Sequence, residues 1–143
     1  MDSIYRRNLR DLRHIGCKEG SIVTAVKGIH IYNDRLYLHL SIRNYSALSF
    51  EIEFISFGII DRKAAKRTAV QEIPVEPVTV YRQIDVVTPK KGTRNIIVLP
   101  KITLADDQVL CVEIHERGGV RHQVFSLTPE DLALAVPFED KTE

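Results

Sequence analysis

Two runs, Ile22-Val23-Thr24-Ala25-Val26-Lys27-Gly28-Ile29-His30-Ile31 and Arg35-Leu36-Tyr37-Leu38-His39-Leu40-Ser41-Ile42-Arg43, flank Asn33-Asp34 and decide the fold class. Apolar residues recur at every second position, the period of a strand with one buried face, and Asn-Asp tolerates the positive φ of a tight hairpin turn. Leu36, Leu38, Leu40 and Ile42 form the clean core face. Tyr37, His39, Ser41 and Arg43 fall on the other, so His39 reads as a half-exposed strand residue and not as a ligand.

The alternation continues outward. In Phe50-Glu51-Ile52-Glu53-Phe54-Ile55-Ser56-Phe57-Gly58-Ile59-Ile60 the apolar residues sit on even positions to Phe54 and on odd ones from Ile55 to Ile59. A switch of face within one strand predicts a β-bulge or a strand passing from one sheet to a second. Further strands are expected over Val70–Val75, Gln83–Thr88, Arg94–Leu99 and Val109–His115. Pro74 and Pro77 mark an edge or an exit, because proline cannot donate to a ladder. Glu113–Arg117, Gly118-Gly119 and Val120–Leu127 give a hairpin in which His115 faces His122 and Glu116 faces Arg121, counting outward from the turn.

At the N-terminus Ser3 is a candidate cap for a helix carrying Tyr5, Leu9 and Leu12 on one side and Arg6, Arg10 and Arg13 on another, ended by Gly16 and Gly20. At the other end Thr128-Pro129-Glu130-Asp131 has an N-cap, a first-turn proline and acidic residues suited to the helix dipole. Leu132, Leu134 and Ala135 are placed to dock. The expected architecture is an all-β, single-domain β-sandwich, immunoglobulin-like, with seven or eight mostly antiparallel strands and short terminal helices. Residues 1–20 read as a helical arm, 21–138 as the sandwich and 139–143 as a disordered tail.

Composition narrows the function classes. The chain has 143 residues, 44% of them hydrophobic, and a net charge of +1 from 20 Lys and Arg against 19 Asp and Glu. That suits one domain with a real core, and any attraction to nucleic acid must come from a local patch. Cys17 and Cys111 form no CxxC pair, and a disulfide between them is left open. His115, His122 and Glu113 suggest part of a metal site but lack an HExxH or HxH spacing, so no metal or cofactor is expected. No Walker loop, GxGxxG turn or GxSxG elbow is present, and no enzyme activity or catalytic residue is expected.

One segment points to a partner. Asp61-Arg62-Lys63-Ala64-Ala65-Lys66-Arg67-Thr68-Ala69-Val70-Gln71-Glu72 puts long cationic side chains where an all-β connection normally holds turn formers. Arg62, Lys63, Lys66, Arg67 and Gln71 are the candidate partner-binding residues. An acidic protein surface is the favoured target; the alternative is an accessory nucleic-acid-binding module using the basic loop 62–67.

That segment with the preceding Phe57-Gly58-Ile59-Ile60, together with Leu12-Arg13-His14-Ile15-Gly16, Leu36-Tyr37, Ile42-Arg43-Asn44-Tyr45-Ser46 and Glu116-Arg117-Gly118-Gly119-Val120-Arg121-His122, resembles the C-terminal domain of the TraN proteins of conjugative transposons from Gram-negative gut anaerobes. The resemblance implies a structural component of a type IV secretion-like mating apparatus. It further implies a periplasmic or outer-membrane-associated location, with other mating-channel subunits, or a second copy of the chain, as partners and no direct membrane insertion. Family members are longer, with a signal peptide and a preceding β-domain; Met-Asp-Ser-Ile-Tyr-Arg-Arg has no apolar h-region.

Overall fold

A computed structural model describes residues 1–63 and 72–138. The elements run α1 (Asp2–Arg7), β1 (Gly16–Glu19), β2 (Ile22–Tyr32), β3 (Arg35–Asn44), β4 (Phe50–Asp61), β5 (Ile73–Val75), β6 (Thr79–Tyr81), β7 (Val86–Val87), β8 (Gly92–Leu99), β9 (Gln108–Glu116), β10 (Gln123–Leu127), α2 (Pro129–Leu132) and β11 (Val136–Pro137). Sheet I has the order β1-β2-β3-β8-β6 with β11 beside β2; sheet II has the order β10-β9-β4-β5 with β7 beside β4. The fold is an all-β sandwich. Every pairing is antiparallel except that of β11 with β2.

The β2–β3 hairpin forms as its alternation predicts. Asn33 and Asp34 both take left-handed φ, 54° and 61°, the geometry of a two-residue turn matched to strand twist. Leu36, Leu38, Leu40 and Ile42 enter the inter-sheet core with Ile22, Phe50, Ile97, Leu110 and Ile114. The second run is cleaner than the first because β2 carries an irregularity between Val26 and Gly28, so its inward residues change from even to odd at Lys27. The Lys27 carbonyl accepts hydrogen bonds from the backbone N–H of Asp11 and Leu12, at 2.8 and 3.0 Å, which pins the N-terminal segment to that point.

The face switch in β4 is a bulge. Pairing with β9 shifts between Ile52 and Phe54, so Phe50 and Ile52 face inward before it and Phe57 after it. Phe54 is thereby turned out, 45% exposed.

Several boundaries differ from the sequence expectation. The helical arm over 1–20 reduces to α1, capped by Met1 and not Ser3, and ended by Asn8 at φ 47°. Gly16–Glu19 is a strand, and Gly20-Ser21 is a hairpin turn with both residues at positive φ. Leu12 is in the core while Leu9 is 48% exposed, because the intervening chain is irregular and the helical spacing no longer applies. The strand expected over Gln83–Thr88 is only Val86–Val87, and Thr79–Tyr81 was missed. The eleven strands among the described residues exceed the expected seven or eight through β1, β6 and β11, which are two to four residues long and too short to display a clear alternation. The expected tail 139–143 lies outside the described residues.

Cys17 is in β1 and packs against the inter-sheet core, whereas Cys111 packs with Ile60 and Val109 on the outer side of sheet II. A bridge would have to pass through the sheet, and both thiols are free. Burial, then the nearby Glu113 carboxylate, pushes the Cys111 thiol up from its ordinary pKa.

Candidate functional site

Each sheet has an outer face, and the fold treats the two differently. On sheet I, α1 and the C-terminal segment lie over β3 and β8: Ile4 joins Tyr37, Ile96 and Val98 in a second apolar cluster, against which Tyr5, Tyr81 and Phe138 pack. His39 is buried under this layer, 1% exposed, contrary to the half-exposed position expected of it. Strand alternation identified the outer face but gave no sign that a helix would cover it. Arg94 Nη1 donates to His39 Nε2 at 3.1 Å, which requires a lone pair on that nitrogen and therefore a neutral ring. Burial, reinforced by Arg94, Lys27 and His30, pushes the His39 pKa down to about 4.

On sheet II the outer face is buried at the end holding Ile60, Val109 and Cys111, where the Glu72 side chain lies over Gly58, and is open among the described residues toward the Gly118-Gly119 turn. The bulge that turns Phe54 out sets it opposite His115, with ring centroids 4.3 Å apart at 22°. His115 in turn lies 4.6 Å from His122. The hairpin register places these two across from each other, as counted from Gly118-Gly119. Val124, on the same face and opposite Glu113, is 50% exposed. His115 Nε2 lies 3.5 Å from Glu113 Oε2, and His122 Nδ1 accepts the Glu116 backbone N–H at 3.1 Å. Among the described residues no three His, Cys, Asp or Glu side chains converge as a metal ion would need.

The hairpin base latches the sheets together. Glu116, 8% exposed, receives the Arg121 backbone N–H at 3.0 Å and its Nε at 3.0 Å. Arg121 also donates to Ser46 Oγ at 2.8 Å and to the Ser49 carbonyl at 2.9 Å, and its stem lies against Gly20. The fully buried Gln123 accepts from Thr24 Oγ1 at 3.1 Å and donates to the Glu19 carbonyl at 3.1 Å.

Of the loop cations, Arg62 is committed within the molecule. Its guanidinium donates to both carboxylate oxygens of Glu130 in α2, at 3.2 and 2.9 Å, and to the Asp106 carbonyl at 3.2 Å. This pair holds the Glu130 carboxyl below its ordinary pKa. Lys63 is exposed, and its backbone N–H is capped by Asp61 Oδ1 at 2.8 Å. Lys66, Arg67 and Gln71 lie outside the described residues. Glu130 stands in the first turn of a helix whose Thr128–Asp131 capping box forms as the sequence pattern implies.

Between the sheets, where β4 and β8 diverge, a cavity of about 180 Å3 is lined by Ile52, Ile55, Ile84, Ile97 and Asn95. Asn95 is 1% exposed, and its Oδ1 has no hydrogen-bond partner among the described residues. An unsatisfied buried acceptor carries its full desolvation cost. Asn95→Leu, which has the same branched shape, lacks that oxygen and can extend its larger methyl groups into the cavity, is therefore expected to raise stability by about 1–3 kcal/mol in urea unfolding. A loss of stability would show that the oxygen is satisfied in solution.

Residues 1–137 match the family model described as Domain of unknown function (DUF4138). The chain belongs to that family. No curated protein matches this DUF4138 chain. Among its described residues no helix is long and apolar enough to cross a membrane.

Proposed function

We propose that this chain is a non-enzymatic assembly component of a conjugative DNA-transfer, type IV secretion-like apparatus, located in the cell envelope and acting as a protein–protein interaction module. The family resemblance supplies the apparatus. The observation that supports an interaction role is the unequal cover of the outer faces: sheet I is overlaid by α1 and Phe138, while sheet II presents Phe54, His115, His122 and Val124. Exposed ring and aliphatic surface of this kind is what protein interfaces bury at their centres. Nucleic acid is the weaker reading, because one of the loop cations already pairs with Glu130 and the net charge is +1.

A photo-crosslinking residue placed at position 54 or 124 in donor cells is expected to capture another mating-channel subunit, whereas one at Lys18, on exposed β1, is not. Capture from position 63 alone would move the docking surface to the loop. Capture from none of these would remove the interaction reading.

A further inference from the structure

The uncovered end of the sheet I face, beyond α1, gathers cations that are far apart in the sequence. Lys27 comes from the β2 bulge, Arg43 from the end of β3 and Arg94 from β8. With Ser41, Gly92 and Asn8 they line a depression of about 380 Å3 whose lining holds no carboxylate. Among the described residues none of the three cations is ion-paired.

Two of them are held in place. Arg94 Nη1 donates to the Tyr5 carbonyl at 2.7 Å and to His39, and its guanidinium lies over the Tyr5 ring, 4.2 Å from the centroid. Lys27 Nζ donates to Asn8 Oδ1. Gly92 stands opposite Arg43 in the β3–β8 ladder and leaves room for its side chain, since a Cβ there would come 3.2 Å from Arg43 Nη1. Crowding like charges on neighbouring strands is unfavourable unless something of opposite sign answers them. The crowding acts on Lys27 itself, whose ammonium is pushed below its ordinary pKa by burial, then by Arg94 and Arg10.

We infer that this depression is a binding site for the carboxylates of an acidic peptide segment, with Arg94 and Lys27 as fixed donors and Arg43 as a movable one. Guanidinium groups recognise carboxylates through paired, charge-assisted hydrogen bonds, and preorganised donors lose little freedom on binding. A peptide fits better than a nucleic acid. The Tyr5 ring already carries Arg94 and, at 4.6 Å, Arg82, so it offers no platform for base stacking. The site stands apart from the sheet II surface and does not depend on it.

The test is titration of the full chain with hexaglutamate, inorganic phosphate and hexathymidylate in parallel, at low and high salt. Hexaglutamate is expected to bind saturably and more weakly as salt rises. Arg43→Gln and Lys27→Gln should each weaken it about tenfold, and Lys101→Gln, at an exposed position outside the depression, should leave it unchanged. Arg43 is exposed, so its replacement leaves the fold intact. The proposal is overturned by absence of saturable hexaglutamate binding, or by binding indifferent to both substitutions. Tighter binding of phosphate or hexathymidylate than of hexaglutamate also overturns it, in favour of a phosphate site.

Discussion

Lowering the pH through the range from about 6.5 to about 4 is expected to remove roughly 3 kcal/mol of folding stability through His39 alone. In the unfolded chain the imidazole titrates at its ordinary value; in the fold its pKa lies near 4, so the unfolded state takes up the proton first. The contribution is fully present above the unfolded value and is lost as pH falls toward the folded one. The cause is geometric: Nε2 must accept from Arg94, and a proton there would break that bond and add a charge beside Arg94 and Lys27 under α1. His30, also shifted down, chiefly by burial, acts in the same direction. Urea midpoints measured across this range should fall steeply for the wild type. They should fall much less for His39→Gln, which keeps an acceptor and does not titrate. An equal slope in both proteins would mean that His39 is protonated in the fold.

Removal of the Arg121 side chain is expected to cost about 3–5 kcal/mol at neutral pH, because it leaves a buried carboxylate without its partner. Arg121→Ala also cuts the ties to Ser46 and Ser49 that join the β9–β10 hairpin to the crossover between the sheets. The hydrogen bonds from Arg121 hold the Glu116 carboxyl below its ordinary pKa despite burial. This stabilisation is therefore present above the unfolded carboxyl value and fades as pH falls through the lower folded one. Glu116→Gln should flatten that acid limb, and Glu116→Gln combined with Arg121→Met should recover part of the loss seen with Arg121→Ala. A cost below about 1 kcal/mol for Arg121→Ala would place the pair among ordinary surface bridges.

What was legible in the sequence was local and periodic. Alternation and turn chemistry located the β2–β3 hairpin, the change of face in β4, and the cross-strand meetings of His115 with His122 and Glu116 with Arg121. Where a strand spans barely one repeat, the pattern either missed it, as at β6, or overran it, as at β7. Where a residue's surroundings come from another part of the chain, the sequence was silent. Nothing beside His39 announces that α1 will cover it, and Lys27, Arg43 and Arg94 meet only through strand order. Arg62 is the reverse case: contiguous charge made it conspicuous, and Glu130, 68 residues away, takes its guanidinium.

The frequency of conjugal transfer from a donor lacking this gene, complemented with the wild type or with a Phe54→Glu, Val124→Glu double variant, tests the assembly role most directly. Transfer should collapse on deletion, return with the wild type and stay low with the variant, although the variant accumulates and melts like the wild type. Undiminished transfer from the deletion strain would contradict the proposed function.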